Sequence, residues 1–207
     1  MTGESRRTAR AVQQRSVATR AALLEGAGRT FSRLPYSEAR LKDIADESSI
    51  SQGSLYFHFG NKSDVAEAIL QLQQERMTSV LSNVAAGSGT GLAKLLALVE
   101  GLADLIASDQ IVQAGIRLST QIGTGLSEQA REPYLEWIRI AESLIVHGVE
   151  DGSLEPTTDI TGAAEYVNYL FVGAQVLSEI DSNWSSFPDR AKKMRPYIVA
   201  SLGSATS

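Results

Sequence analysis

Residues 40–62, RLKDIADESSISQGSLYFHFGNK, constrain the fold of this chain more than any other segment. Leu41, Ile44 and Ala45 recur at i, i+3 and i+4, a spacing that places them on one face of a short helix. Two serines then interrupt the apolar pattern, and Ser51 is a favourable N-cap for a second helix. A helix, a tight turn and a short second helix together form the layout of a helix-turn-helix.

The start of the second helix carries small and polar residues, a composition that suits DNA binding. A helix-turn-helix inserts the N-terminal end of its second helix into the major groove. Ser51 and Gln52 can form hydrogen bonds with base edges or phosphates, and the small Gly53 and Ser54 let the backbone approach DNA closely. A helical hairpin packed by its own aromatic side chains has the same local pattern, so the pattern alone leaves both interpretations open.

A longer series of residues resembles the signature of the TetR family of bacterial repressors. The matching positions are Ile44-Ala45, Ile50-Ser51, Gly53, Leu55-Tyr56, His58-Phe59 and Lys62. The resemblance implies an all-α fold of about nine helices, with an N-terminal three-helix DNA-binding domain and a C-terminal helical domain for ligand binding and dimerisation. Arg40 and Ser48-Ser49 depart from the family, which usually has Thr and Ala-Gly at these positions. Because serine disfavours left-handed geometry, we expect the turn to be shaped slightly differently.

The predicted DNA-binding residues follow from this resemblance. Base edges or nearby phosphates are the expected partners of Ser51, Gln52, Gly53 and Ser54. The DNA backbone is the expected partner of Arg40, Lys42, Tyr56, His58 and Lys62. Three of these positions have a structural alternative: Tyr56 can pack in the core, Lys62 can solvate a helix start, and His58 can cap or pack locally.

Charge divides unevenly along the chain. The net charge is −5, but residues 1–62 contain ten Lys or Arg and six Asp or Glu, a net of +4, which leaves −9 for residues 63–207. A basic end confines favourable phosphate contacts to one end of the molecule. Arg6, Arg7, Arg10 and Arg15 lie in a polar segment that we predict to be frayed without DNA, with a helix from about residue 16; a solvated tail and a DNA-tracking arm are both compatible with it.

Several function classes are disfavoured by what the sequence lacks. It has no cysteine and only two histidines, His58 and His147, so we expect no metal site and no cofactor. It also lacks a G-x-S-x-G elbow, an H-E-x-x-H motif and a glycine-rich phosphate loop, so we do not expect an enzyme. The N-terminus has no apolar signal region, and the most apolar segment, residues 92–107, contains three charges. We therefore expect a cytoplasmic protein that does not enter a membrane.

The rest of the chain is predicted to be helical. Asn61 and Asp64 form a capping-box-like pair that predicts a long helix to about residue 85. A glycine-rich run at 87–91 breaks it, and Gly123 and Gly125 are a later predicted break. We expect a DNA-binding domain in residues 1–62, joined by this connecting helix to an effector and dimerisation domain in residues 63–207.

A predicted penultimate helix, residues 160–180, is apolar on more than one side and therefore needs more than one packing partner. The family resemblance implies that the last two helices pair with those of a second subunit in a four-helix bundle. A homodimer presents one helix-turn-helix to each half of a palindromic operator.

Trp137 is the residue that most suggests a ligand site, although packing in the core is an alternative. The segments 114–120 and 136–144 resemble the γ-butyrolactone autoregulator receptors of actinomycetes, whose ligand-covering tryptophan falls on Trp137. The predicted ligand-binding residues are Leu98, Leu102, Ile106, Ile116, Ser119, Thr120, Trp137, Tyr166 and Tyr169. They carry no charge, so we expect a small, mostly apolar effector that releases a repressor from its operator. The alternative is a helical protein-interaction adaptor with a degenerate helix-turn-helix.

Overall fold

The computed structural model describes residues 3–121, 127–157 and 159–204, and within them the chain is almost entirely helical. The helices are α1 (Gly3–Phe31), α2 (Leu41–Ser48), α3 (Gln52–His58), α4 (Lys62–Ala86), α5 (Gly91–Ser108), α6 (Gln110–Gln121), α7 (Ser127–Glu150), α8 (Ile160–Ser182) and α9 (Phe187–Leu202). A single isolated bridge joins Leu154 and Gly203 in this part of the chain. The predicted all-α fold is confirmed. None of the described helices is both long and apolar enough to cross a bilayer.

The first helix is longer than the sequence pattern indicated. It begins at Gly3 and not near residue 16, so the arginine-rich segment is helical. This segment contains alanine, arginine and glutamine, which favour helices, and neither proline nor glycine interrupts it after Gly3. Arg10 and Arg15 are exposed, whereas the side chains of Arg6 and Arg7 lie outside the described residues. Gly123 and Gly125, where the sequence predicted a break in the helix, also lie outside the described residues.

The chain divides into two compact units. The first comprises Met1–Gln73 and Gln110–Ser127, and so contains α1 to α3, the start of α4, and α6. Its apolar core includes Leu23, Phe31, Ile44, Leu55, Ile69, Ile111 and Leu118. This grouping differs from the segments 1–62 and 63–207 that the sequence predicted, because α6 packs with the N-terminal helices.

Glycines permit the close packing of α6 within this unit. A Cβ atom on Gly28 would lie 2.7 Å from Cγ1 of Ile111, and one on Gly115 would lie 2.3 Å from Oε1 of Gln73. A similar approach brings α1 against the end of α2, where a Cβ atom on Gly26 would lie 2.7 Å from Cβ of Ser48. The glycines of α1 therefore serve close helix contacts, which offsets their low helix propensity.

The second unit comprises Gln74–Asp109 and Glu128–Ser207 and contains the rest of α4 with α5, α7, α8 and α9. At the N-terminus of α5 a Cβ atom on Gly91 would lie only 2.1 Å from the backbone nitrogen of Gly148. The first backbone N–H groups of α5 donate to Asp151 (2.7 Å) and Ser153 (3.2 Å). A hydrogen bond between the side chains of Ser153 and Asp151, followed by the one from the Gly91 N–H, lowers the pKa of the Asp151 carboxyl group.

Candidate nucleic-acid interface and effector site

The turn between α2 and α3 has the left-handed geometry that glycine usually supplies. Ser49 adopts φ 56° and ψ 32°, and its N–H donates to the carbonyl of Asp46 at 3.1 Å. The N–H of Ile50 reaches the carbonyl of Ala45 at 3.0 Å. The expectation of a differently shaped turn was therefore wrong, because these two hydrogen bonds hold the serine in the left-handed conformation.

Two arginines of α1 and the following loop attach to the end of α2. Arg29 donates from Nε to Oε1 of Glu47 at 2.9 Å and from Nη2 to the Glu47 backbone carbonyl at 2.8 Å. Arg33 donates to Oε2 of the same carboxylate at 2.6 Å. The hydrogen bond with Arg29, followed by that with Arg33, lowers the pKa of Glu47. The network anchors α2 one residue before the turn.

The N-terminus of α3 presents polar groups to solvent. The Ser51 hydroxyl oxygen accepts from the Ser54 backbone N–H at 3.2 Å and so caps the helix, as predicted. Ser51, Gln52 and Gly53 are exposed and Ser54 is half-buried. No atom lies within 4 Å of the position that a Cβ atom on Gly53 would take. The backbone at the N-terminus of α3 is therefore accessible to solvent, at the position where a helix-turn-helix contacts DNA.

Aromatic residues occupy the outer face of α3. Leu55 and Phe59 are buried, so the intervening Tyr56 and Phe57 point outward, with 56% and 81% of their surface exposed. The exposure of Tyr56 contradicts the alternative in which it packs in the core. The Phe57 ring meets His58 edge-on at 5.3 Å between centroids. Phe57 was absent from the predicted contacts, although the i, i+4 spacing of its buried neighbours could have placed it outside.

The ammonium group of Lys62 is bound by backbone carbonyl groups of the protein itself. Its Nζ donates to the backbone carbonyls of Tyr36 at 2.6 Å and Ala39 at 2.9 Å, and it lies 4.3 Å from the centre of the Tyr36 ring. Lys62 therefore fastens the loop before α2 to the start of α4. The predicted cap of α4 is confirmed, since Asp64 accepts from the Asn61 N–H at 3.3 Å and donates its own N–H to Oδ1 of Asn61 at 3.1 Å. Arg40 and Lys42 have exposed side chains.

The predicted ligand-binding residues do not fall in one unit. Ile116, Ser119 and Thr120 belong to the first unit, where Thr120 is exposed and the Ser119 hydroxyl donates to the Ile116 carbonyl at 2.7 Å. In the second unit Leu98, Leu102 and Ile106 are completely buried.

Trp137 lies at one end of an aromatic stack in the second unit. It is 3% exposed, and its ring stacks on Phe171 with centroids 5.9 Å apart. Phe171 in turn contacts Phe187, whose ring centre lies 5.0 Å away. The Trp137 indole Nε1–H is buried and finds no acceptor among the described residues. A buried donor without a partner is unfavourable unless a water or a ligand accepts its hydrogen bond.

Tyr166 and Tyr169 lie away from this stack. Tyr169 is 65% exposed, because residues two positions apart on a helix point in nearly opposite directions and Phe171 faces inward. Its hydroxyl donates to Glu165 at 3.3 Å, and the charge of Glu165 raises the Tyr169 pKa. Tyr166 lines a separate groove, where its hydroxyl lies 3.3 Å from that of Ser201. Tyr169 instead lines the groove between α8 and α9.

One face of α8 and α9 is apolar and open to solvent. Its exposed residues are Tyr169, Val176, Leu177, Ile180 and Tyr197. The groove between these helices has a volume of about 410 Å³, and its floor includes Gly173, which has no atom within 4 Å of a Cβ position. This face matches the second apolar side that the sequence predicted for α8.

Comparison with known proteins matches both parts of the chain. The family model for bacterial regulatory proteins of the tetR family matches residues 23–69. The model for the tetracyclin repressor-like C-terminal domain matches residues 89–203. The A-factor receptor protein of Streptomyces griseus is 28% identical over 195 residues, which are 93% of this chain and 66% of that protein. The chain therefore spans slightly less than two thirds of this relative.

Solved structures of related regulators also resemble this chain over most of its length. The crystal structure of a γ-butyrolactone receptor, an ArpA-like protein, has a TM-score of 0.79 and 26% identity, covering 93% of this chain and 92% of that one. CprB from Streptomyces coelicolor, in complex with its biological operator sequence, has a TM-score of 0.74 and 25% identity, with 93% and 92% coverage.

Proposed function

Because the chain belongs to the TetR family of bacterial regulatory proteins, we propose that it is a DNA-binding transcriptional repressor that a small effector releases from its operator. The observation that carries this proposal is the exposed N-terminus of α3. Ser51, Gln52 and Gly53 are open to solvent there, on a short helix whose opposite side is fixed by the buried Leu55. The similarity to CprB, whose structure contains its operator, supports the same role.

The proposed contacts divide between bases and backbone. Gln52 and the hydroxyl groups of Ser51 and Ser54 are suited to base edges or adjacent phosphates. Arg40, Lys42, Tyr56 and His58 are proposed to hold the DNA backbone. The Lys62 ammonium group already donates to two carbonyls, so we propose that it acts mainly by fixing the entry to α2.

The proposed effector is a small, uncharged and mostly apolar molecule, similar to a γ-butyrolactone. The likeness to the A-factor receptor protein and to a γ-butyrolactone receptor supports this class. The orphan indole N–H of Trp137 offers a hydrogen bond to a ligand oxygen. None of the charged side chains that the structure describes is buried, so no internal counter-charge is available for an ionic ligand.

We propose a homodimer formed through α8 and α9. An apolar surface exposed to water favours association, and two-fold symmetry would bury this face against the same face of a second copy. The dimer would place two copies of α3 on the halves of a palindromic operator.

A gel-shift titration against DNA from upstream of the gene tests DNA binding. A dimer that neutralises several phosphates loses affinity steeply as salt rises, so log Kd should increase linearly with log salt. A scrambled fragment of the same length is the control for sequence specificity. Absent or salt-insensitive binding to every upstream fragment would favour the alternative, a protein-interaction adaptor.

Tryptophan fluorescence tests the effector site. The chain has two tryptophans, so Trp137→Phe isolates the contribution of the aromatic stack. A true effector should change the emission of the wild type, and this change should disappear in Trp137→Phe. An unchanged wild-type spectrum at a saturating effector concentration would assign Trp137 to the core.

A further inference from the structure

The excess positive charge of the N-terminal region lies in its first 20 residues. Residues 1–20 contain five arginines and one glutamate, a net of +4, whereas residues 21–62 contain five Lys or Arg and five Asp or Glu, a net of zero. The segment that contains the helix-turn-helix is therefore neutral. A DNA-binding surface needs cations to neutralise phosphates, and the unbalanced cations all precede this segment.

Three of the five cations in residues 21–62 are bound by the protein itself. Arg29 and Arg33 form ion pairs with Glu47, and the Lys62 ammonium group donates to two backbone carbonyls. Two exposed cations at the start of α2 are left for the DNA backbone. They are few for a domain that binds DNA by neutralising several phosphates.

The first half of α1 is a helix without a core of its own. Among the described side chains of residues 10–22 none is buried, and the first buried side chain of α1 is that of Leu23. Residues 3–22 extend for about 30 Å at the rise of an α-helix. Val12 and Val17 are 63% and 64% exposed, and because they are five positions apart they point in different directions. These residues thus form no apolar stripe for a second helix or a lipid surface, and the exposed arginines favour a polyanion.

One face of this helix carries Arg10, Gln13 and Val17 side by side. Arg20, three residues after Val17, continues the same face, and its guanidinium carbon lies 5.3 Å from the centre of the Phe59 ring. Phe59 directly follows α3. The face that carries Arg10 therefore passes the C-terminal end of α3, and Arg10 lies about 15 Å further along α1.

We propose that the first half of α1 is a second DNA-binding surface, in which Arg10 and, one turn earlier, Arg6 bind phosphates beside the groove that α3 enters. This inference rests on the proposed function, which places α3 on DNA. A guanidinium group forms charge-assisted hydrogen bonds with phosphate oxygens, and the Gln13 amide can donate to the same backbone. Such contacts carry no sequence information, so they set the strength and salt dependence of binding, while α3 sets its specificity.

Arg10→Gln tests this surface, with Arg15→Gln as the matched control. Each variant removes one exposed arginine from the same helix and changes the net charge equally, but Arg15 lies five positions from Arg10 and therefore on a different face. Glutamine favours helices about as well as arginine, so both variants should keep the wild-type unfolding midpoint. On a scrambled duplex, the slope of log Kd against log salt should fall by about 0.9 per bound subunit in Arg10→Gln and should stay close to the wild-type value in Arg15→Gln.

Sequence preference is the second measurement. Arg10→Gln should weaken binding to upstream and scrambled fragments by the same factor, because phosphates are common to all sequences. A wild-type slope in Arg10→Gln, equal reductions in both variants, or an altered sequence preference in Arg10→Gln would each overturn the proposal. A wild type that binds no duplex at low salt would overturn it together with the proposed function. Because the slope is measured on scrambled DNA, a wild type that binds it without preferring any upstream fragment would contradict the proposed function alone.

Discussion

Ser49 holds the left-handed turn of the helix-turn-helix without the conformational freedom of glycine. Its φ of 56° is disfavoured for residues with a Cβ atom by about 1–2 kcal/mol. The turn nevertheless keeps its two backbone hydrogen bonds, and the Arg29 guanidinium group binds the carbonyl of Glu47 just before it. The strain at this residue is thus offset by its neighbours.

Replacing this serine by glycine should stabilise the protein. Ser49→Gly removes the steric cost, partly offset by the entropy of glycine in the unfolded chain, so the free energy of unfolding should rise by about 0.5–1 kcal/mol. Chemical denaturation measures this change. Ser48→Gly is the adjacent control and should destabilise, because it places glycine inside α2 and deletes the hydrogen bond from Ser48 Oγ to the Ala45 carbonyl. Equal losses in both variants would show that the left-handed geometry carries no strain.

Lys62→Met should weaken binding to all DNA sequences about equally. The substitution removes two charge-assisted hydrogen bonds from a half-buried ammonium group, which should also lower the free energy of unfolding by about 1–3 kcal/mol. Because Nζ already donates to two backbone carbonyls, the slope of log Kd against log salt should remain close to that of the wild type. A slope reduced by about one would instead indicate a lost phosphate contact.

Gln52→Ala is the matched variant for this experiment. It removes an exposed side chain that forms no hydrogen bond with the described residues, so stability should be unchanged and sequence preference should relax with a modest loss of affinity. If both variants alter sequence preference to the same extent, the roles of these two residues are wrongly assigned.

At the scale of elements, α1 and α2 are joined by ion pairs as well as by apolar packing. Glu47 at the end of α2 accepts from Arg29 and Arg33, while Gly26 allows the α1 backbone to approach Ser48. These contacts set the position of the turn, and through it the start of α3.

This network should make stability depend on pH. The folded-state pKa of Glu47 lies below its ordinary value of 4.5, so its contribution is fully present above that pH and is lost as pH falls through the folded-state pKa. Glu47→Gln should therefore be less stable than the wild type at neutral pH, and the difference should shrink as the solution is acidified below about 4.5. Urea denaturation across this pH range measures it. Glu38→Gln, at an exposed position, should follow the wild type at every pH; a pH-independent deficit in Glu47→Gln would argue for packing instead.

At the scale of the whole molecule, the chain passes between its two units at residues 73–74, 109–110 and 127–128. The proposed DNA contacts lie in the first unit, and Trp137 lies in the second. α4 is a continuous helix with residues in both, as predicted, and is a candidate for transmitting a rotation. An effector can weaken DNA binding only by as much as its affinities for the two conformations differ.

Dimerisation should depend on the exposed apolar face of α8 and α9. Ile180→Asp puts a charge on a residue that is 79% exposed, so it should leave the subunit folded but disrupt the proposed dimer interface of α8 and α9. Light scattering after gel filtration should show half the wild-type mass, with much weaker operator binding. Val146→Asp, on an exposed apolar residue of α7, is the control and should remain dimeric. A persistent Ile180→Asp dimer would place the interface elsewhere.

Features that depend on residues close together in the chain could be predicted from the amino-acid sequence. The caps at Ser51 and Asn61, the turn at 48–49 and the polar start of α3 were all predicted, because caps and turns are interactions between residues a few positions apart. The tertiary structure alone decided which face of each helix is inside. α8 is apolar on several sides, so periodicity could not show that Phe171 stacks on Trp137 while Tyr169 faces solvent. Likewise, only packing showed that α6 joins the N-terminal helices and that Lys62 is held by the loop before α2, since both contacts link residues that are distant in the chain.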